Sequence, residues 1–435
     1  MRQRIELMLL MLATTLVVSA QHVLTLTPDG LFAMADSTEQ SLRAGRYGME
    51  AAAREIRAAE AMRLPDIEVS LSASYLGNGY VWNRDFTNGI SVDIPHFGTN
   101  FAVSVSQVIY AGGAVESGIG LTKQASRMAE LDYEKSRQQV HFRLLGDYLN
   151  LLKAQSQQMV YDENIRLTER VIADLTAKRE QGTVLQNALT RYELQLENLK
   201  LQRERVANAC AIYNRQLTTA LGLDVATVIM PDTAILHAAN SVEGVDDATR
   251  DALTHSPDLQ LMETAVGMNR TKERMAHAER LPKVALFAQE HLDGPVTIEV
   301  PVLNKNFNYW VVGVGVSYNI GALYKSADKV RAARLSTQQA LSQSAHVQEQ
   351  LTNAVAEACI RLSEAENEVQ VRTKGVDLAR DNYDLTYDRY ANELALLTDM
   401  LDASNTVLAA ELELKNAHIN RLFCYYKLRF LCGEL

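Results

Sequence analysis

Residues Ala58–Tyr75 read AAEAMRLPDIEVSLSASY, and about 210 residues later Met275–Pro282 read MAHAERLP. In both places an Ala- and charge-rich run ends on Leu-Pro, and a stretch of alternating residues follows. Each stretch is followed in turn by glycine, at Gly112-Gly113 and at Gly321, and then by a very long run without proline. The same features in the same order mark an internal duplication. Its period is far above the ~20–50 residues of solenoid repeats, so there is one duplication and no array.

The alternating runs predict two strands in each half. Ile67, Val69, Leu71, Ala73 and Tyr75 alternate with Glu68, Ser70, Ser72 and Ser74, a period of two. Phe101, Val103 and Val105 alternate with Ala102, Ser104 and Ser106. In the second half Val284 and Leu286 open a less regular strand. Trp310, Val312, Val314, Val316 and Tyr318 then alternate with Gly313, Gly315, Ser317 and Asn319. Strands are expected over about 66–82, 98–110, 283–291 and 309–320, with external loops near Tyr80–Phe97 and Leu292–Asn308. Runs of about 10 residues with one apolar and one small, polar face suit a tilted membrane-crossing strand, although a sandwich edge has the same alternation. Four strands cannot close a barrel, because the smallest transmembrane barrels use about eight. If these strands cross a membrane, several copies of the chain must share one sheet, since unpaired edges are not tolerated in lipid.

The remaining sequence predicts helices too long for a globule. From Val115 to about Gln181 there is no proline, which at 1.5 Å per residue is roughly 100 Å of helix. After Gly182 a second helix shows coiled-coil spacing at Leu185, Leu189, Tyr192, Leu196 and Leu199, and again at Val206, Cys210, Tyr213 and Leu217. The second half repeats the pair, with Ser326 to about Ala391 followed by a helix carrying Leu397, Leu401, Leu408, Leu412, Ile419 and Leu422. The expected organisation is a signal segment at 1–20, a first repeat at 21–223 with its helical hairpin at 115–221, an inter-repeat segment at 224–255, and a second repeat at 256–435 with its hairpin at 326–430.

Composition narrows the function classes. A formal charge of -10 argues against a nucleic-acid backbone as partner. Arg2 and Arg4 precede an apolar run from Leu7 to Val18, and Val18-Ser19-Ala20 offers small residues before Gln21, the layout of a secretory signal. Beyond it no stretch approaches the ~20 apolar residues of a membrane helix. Cys210, Cys359, Cys424 and Cys432 form no CxxC pair and read as small buried residues. The nine His residues fall in no HExxH, and neither GxSxG nor a phosphate loop is present, so an enzyme, a cofactor and a metal are not expected.

These features resemble the TolC-like outer-membrane efflux family over essentially the whole mature chain. The resemblance rests on the paired Leu-Pro strand openers, on Tyr110-Ala111-Gly112-Gly113, and on Gln181-Gly182-Thr183 at the first hairpin turn. Tyr390 followed by Thr398-Asp399-Met400-Leu401-Asp402-Ala403 at the second turn carries it furthest. It implies a mixed, mainly α fold: a trimeric, twelve-stranded transmembrane β-barrel, four strands per chain, continued by a long antiparallel coiled-coil α-barrel. It also implies a passive conduit from periplasm to exterior, working in the outer membrane with a periplasmic adaptor protein and an inner-membrane pump. The alternative is a structural or adhesive coiled-coil envelope protein without a pore, although a rod would not need the strands.

Asp399 and Asp402 are three residues apart, which puts both carboxylates on one helix face. The resemblance makes them two stacked acidic rings at the periplasmic entrance of a trimer. An ordinary helix start, where acids suit the macrodipole, is the plainer reading of the same pair. Tyr390 fits the family's gate tyrosine, while Ala395 and Ala188 stand where the gate arginine and aspartate are expected, so a different latch is needed. Gln181, Gly182, Thr183, Val184 and Leu185, together with Asn392, Glu393 and Leu394, are the turns expected to dock the adaptor. A plain hairpin turn also accounts for them.

Overall fold

The computed structural model describes residues 22–237, 244–299, 301–392 and 394–435. The signal segment expected over 1–20 and Glu393 of the second turn lie outside the described residues. The elements open with β1 (Val23–Leu26), α1 (Pro28–Thr38), α2 (Gln40–Glu60), β2 (Asp66–Tyr75), β3 (Gly79–Val81), β4 (Ile90–Val92) and β5 (Phe97–Tyr110). The long α3 (Ala114–Glu180) and α4 (Gln186–Ala220) follow, then β6 (Val228–Pro231), α5 (Val245–His255) and α6 (Pro257–Ala278). The chain ends with β7 (Lys283–Gly294), β8 (Phe307–Ser317), α7 (Gly321–Lys325), α8 (Ala327–Ala391) and α9 (Leu397–Leu431). They fall into two compact units, each drawing on both halves of the duplication. One takes in residues up to Arg46 with Asp132–Leu259 and Val347–Leu435; the other is Tyr47–Leu131 with Gln260–His346.

In the second of these units β2, β5, β7 and β8 form one open antiparallel sheet in that order. Register settles which residues share a face. Val69 lies opposite Val103, Val103 opposite Glu290, and Glu290 opposite Trp310. Ile67, Val69, Leu71 and Tyr75 therefore share a face with Phe101, Val105, Leu286, Leu292, Val312, Val314 and Val316. Ser70, Ser72, Ser104 and Ser106 lie on the other face, with Gly313 and Gly315. The apolar face is left bare, with Leu71 77% exposed.

Strand boundaries differ from expectation in three strands. β7 runs on to Gly294 rather than 291, and β8 begins at Phe307 rather than 309. The first strand stops at Tyr75 and does not run on to residue 82: the Leu76 N–H still pairs with the His96 carbonyl at 2.9 Å, and Gly77-Asn78 then interrupts the alternation. The expected loop near Tyr80–Phe97 contains a small hairpin, β3 paired with β4. The last strand ends at Ser317 rather than about 320, since Asn319 already accepts the Ala322 N–H at 3.0 Å to start α7. At the strand-to-helix junction Gly112 has φ +65, and a side chain there would stand 2.8 Å from the Ala278 carbonyl oxygen, so glycine is required twice over.

The other unit has its core where α1, the start of α2, α3, α4 and α9 meet around Leu31, Leu42, Leu144, Tyr148, Leu217 and Leu422. It also contains a feature with no counterpart in the sequence reading: β1 pairs in parallel with β6, from the segment after α4. The buried Tyr148 hydroxyl locks this pair, donating to the Leu26 carbonyl at 2.9 Å and accepting the Asp232 N–H at 3.0 Å. Helix α3 spans 67 residues and passes Gly118, Gly120 and Gly146 without a break, because packing outweighs the ~1 kcal/mol that each glycine costs a helix. None of the four cysteines, all among the described residues, is in a disulfide; Cys359 and Cys432 are buried and Cys210 and Cys424 half-buried.

A charged cluster ties α1 to α3. Arg137 donates from Nε to both Asp36 carboxylate oxygens, at 3.0 and 3.1 Å, and His141 Nε2 lies 2.8 Å from Asp36 Oδ1. A carboxylate can only accept, so Nε2 carries the proton, and the buried Nδ1 has no hydrogen-bond partner. The imidazole is 1% exposed and stacks on Phe32 at 4.6 Å. Burial pushes the His141 pKa below its ordinary 6.5, outweighing the pull of Asp36. Burial alone would raise Asp36, but hydrogen bonds from Arg137 and His141 hold it below its usual value. A base with a depressed folded pKa stabilises the fold above its unfolded value and loses that contribution as pH falls through the folded one. The thermal midpoint in detergent should therefore drop on acidification below about pH 6.5, earlier than acidic-group protonation alone predicts. His141→Gln should flatten that part of the profile, as followed by circular dichroism.

Candidate functional site

The two helical hairpins end in turns built by different local chemistry. At the end of α3 the Gly182 N–H donates to the Arg179 carbonyl at 2.9 Å, and the Thr183 N–H to the Lys178 carbonyl at 3.0 Å. This bond pair is the glycine-closed helix end, and Gly182 has the φ of +75 that it needs. The Thr183 hydroxyl adds a second bond to the Lys178 carbonyl at 2.8 Å. The second hairpin repeats the outer bond, Leu394 N–H to the Arg389 carbonyl at 2.8 Å, without a glycine in its sequence.

The turns are joined by a small apolar cluster. Leu175, Leu189 and Tyr192 from the first hairpin are buried, with Val184, Tyr390, Leu397 and Leu401 packed against them. Tyr390 is thus brought to the first hairpin, where the Lys178 ammonium sits 4.8 Å from its ring centroid, a cation–π contact across the hairpins. Burial raises the Tyr390 pKa, with Asp174 adding to it. The sequence reading missed Lys178, whose only signal was its position one turn before Gly182. The buried Tyr192 hydroxyl has no hydrogen-bond partner among the described residues.

Asp399 and Asp402 are both exposed at the start of α9. Asp399 Oδ2 accepts the Leu396 N–H at 3.0 Å, so this carboxylate caps the start of the helix. Gln181, Gly182, Thr183, Leu185, Asn392 and Leu394 are exposed, and Val184 is half-buried. Exposed leucines crowd this end: Leu185, Leu394 and Leu396, with Leu394 78% exposed. A groove of ≈ 270 Å³ lies beside them, lined by Ala188, Tyr192, Leu396, Leu397 and Leu401 among others. Further along, Arg203–Asp162, Gln157–Asn416, Gln195–Asn405 and Arg380–Glu411 contacts at 2.6–3.2 Å bind the four helices side by side.

One chain thus combines a sheet with one bare apolar face and two open edges with two very long helical hairpins. The sequence profile of the outer membrane efflux protein family matches residues 31–223 and 248–434, and the chain belongs to that family. It is accordingly an outer-membrane protein with a periplasmic helical part, and the family's members are conduits rather than enzymes. The fold is similar to that of the outer membrane protein VceC from Vibrio cholerae, at 15% identity and TM-score 0.79, covering 93% of this chain and 96% of that one. It is also similar to the CmeC outer membrane channel of Campylobacter jejuni, at 16% identity and TM-score 0.73 over 94% and 85% of the two chains. The open state of the MtrE outer membrane channel of Neisseria gonorrhoeae matches at 16% identity and TM-score 0.74 over 93% and 88%. Among curated protein sequences none matches the chain.

Because Asp399 caps α9, Asp399→Ala should free the Leu396 amide and cost about 1 kcal/mol of local helix stability. Hydrogen exchange of the Leu396 and Leu397 amides should quicken severalfold in that variant. Asp402→Ala, which removes no such bond, should leave the exchange unchanged.

Proposed function

We propose that three copies of this chain close one twelve-stranded barrel in the outer membrane. Their helical hairpins line a periplasmic tunnel, which serves as the passive exit duct of a tripartite efflux or type I secretion system. The observation that carries the proposal is the sheet itself. Its edge strands β2 and β8 leave their outer N–H and C=O groups without strand partners, a state that hydrocarbon does not tolerate.

The helices support the trimer independently. On α4 Leu194, Leu201 and Ile212 are exposed, and on α8 Ile360, Val371, Leu378 and Leu385 are exposed. Steps of seven and eleven residues keep each set on one side of its helix, leaving two apolar stripes that a neighbouring copy would cover.

At the hairpin ends the proposal gives Asp399 and Asp402 the role of acidic rings that favour cations, a role compatible with capping because a capping carboxylate keeps its charge. Tyr390 is proposed as part of the gate, with Lys178 in place of the absent arginine. The exposed leucines and their groove, with Gln181–Leu185 and Asn392–Leu394, are proposed to dock a periplasmic adaptor that couples the duct to an inner-membrane pump.

Single-channel recording in planar bilayers tests the duct. Wild type should show small cation-selective openings blocked by divalent cations, and Asp399→Ala with Asp402→Ala should move the selectivity severalfold toward none. Unchanged selectivity would remove the rings and leave the duct; a protein extracted without detergent as a stable monomer would remove the duct. The sheet faces make a second test. Val69→Lys on the apolar face should cost about 2–4 kcal/mol and impair membrane insertion, whereas Ser70→Lys beside it should insert normally.

A further inference from the structure

The polar face of the strand sheet is lined by small side chains over most of its length, including Ser70, Ser72, Ser104, Ser106, Gly313 and Gly315. At the end where β7 gives way to the loop before β8, aromatic rings break that pattern. His291 lies opposite Tyr309 in the register, and their rings stack at 4.9 Å and 12°. Tyr309 stacks in turn on Phe307 at 5.2 Å and 29°. Phe307 lies opposite Asp293, whose carboxylate accepts a hydrogen bond from the Asn100 side chain on β5. All these positions have the parity of the serines, so the row stands on the face turned away from Tyr75, Phe97 and Trp310. It is therefore not part of an aromatic girdle against lipid.

The rings are also available. Phe307 is 54% and Tyr309 38% exposed, in contrast to Phe287 on the same face, which lies so close over Gly313 that an added side chain there would stand 2.7 Å from its ring. We propose that Phe307, Tyr309 and Asp293 form a binding station at the outer end of the lumen for cations that carry an aromatic ring. This inference rests on the duct reading above.

Each element of the station answers to one part of such a ligand. A cation within about 6 Å of a ring centroid is drawn to the negative π face. A flat ligand ring gains offset stacking on the same rings. The Asp293 carboxylate, held in place by Asn100, adds a full negative charge beside them. Lys283, the one cation among the described residues of this sheet face, sits at the opposite end of β7, about 34 Å along the strand, and does not oppose binding. A small hydrated metal cation gains nothing from stacking, and a neutral aromatic gains nothing from the carboxylate. Ring and charge together are what the site rewards.

Three probes separate these contributions in the same bilayer recordings: benzyltrimethylammonium with ring and charge, tetramethylammonium with charge alone, and benzyl alcohol with the ring alone, each added on the side of the strand loops. Benzyltrimethylammonium should block reversibly at about tenfold lower concentration than either control. Phe307→Ala and Tyr309→Ala should erase that advantage, Tyr309→Phe should keep it, and Asp293→Asn should weaken it severalfold. Equal block by all three probes, or block indifferent to both alanine variants, in channels of normal conductance would overturn the station while sparing the duct. A trimer that inserts and passes no current would instead overturn the duct. Should a variant insert poorly, calorimetric titration of benzyltrimethylammonium into the detergent-solubilised protein should reproduce the same order, and absence of binding to wild type there would overturn the station.

Discussion

Backbone hydrogen bonding in hydrocarbon is the constraint on which the rest of this structure depends. Within the chain β5 and β7 are paired on both sides, while β2 and β8 are each paired on one. Water can satisfy such edges and lipid cannot, so the proposed barrel depends on both edges finding strand partners. Side-chain alternation then acquires its meaning. It decides which surface meets lipid and which meets water, and one step of register would exchange the two along the whole sheet.

The helical hairpins answer to a weaker and more distributed set of forces. Most of their ion pairs are exposed and individually contribute little. What holds the hairpin ends together is a small buried cluster around Leu175, Leu189 and Tyr192, with one cation–π contact laid over it. A junction built in this way is loose compared with the core around Tyr148, where a single hydroxyl satisfies two backbone groups at once. The proposed gate thus lies at the less extensively buried of these two clusters.

Much of the fold was legible because its signals are periodic. Ile67 to Tyr75 and Trp310 to Val316 alternate cleanly, and the long helices lack the proline that would end them. The short elements were not legible. Four residues, Val23–Leu26, form a strand only because Val228–Pro231 lie alongside, a pairing across some two hundred residues that no local pattern encodes. The end of β8 was read too long because the turn bond at Asn319 is made by backbone groups, which have no residue signature. Asp399 and Tyr390 were singled out by resemblance, whereas the Lys178 contact and the Asp36–Arg137–His141 cluster depend on neighbours far away in sequence. A lone lysine or histidine on a helix looks the same whether or not its partner is present.

The two compact units do not follow the duplication but thread through it, the larger one requiring Val347–Leu435 as well as the segment ending at Arg46. Synthesis from the N-terminus therefore leaves both units incomplete until most of the chain has been made, and the core around Tyr148 waits for Leu422 and Tyr426 from the final helix. A polypeptide arranged in this way stays open and threadable until late, which favours passage through a narrow translocation channel before folding begins. The interleaving that makes the finished molecule hard to divide thus also postpones its assembly to the far side of the inner membrane.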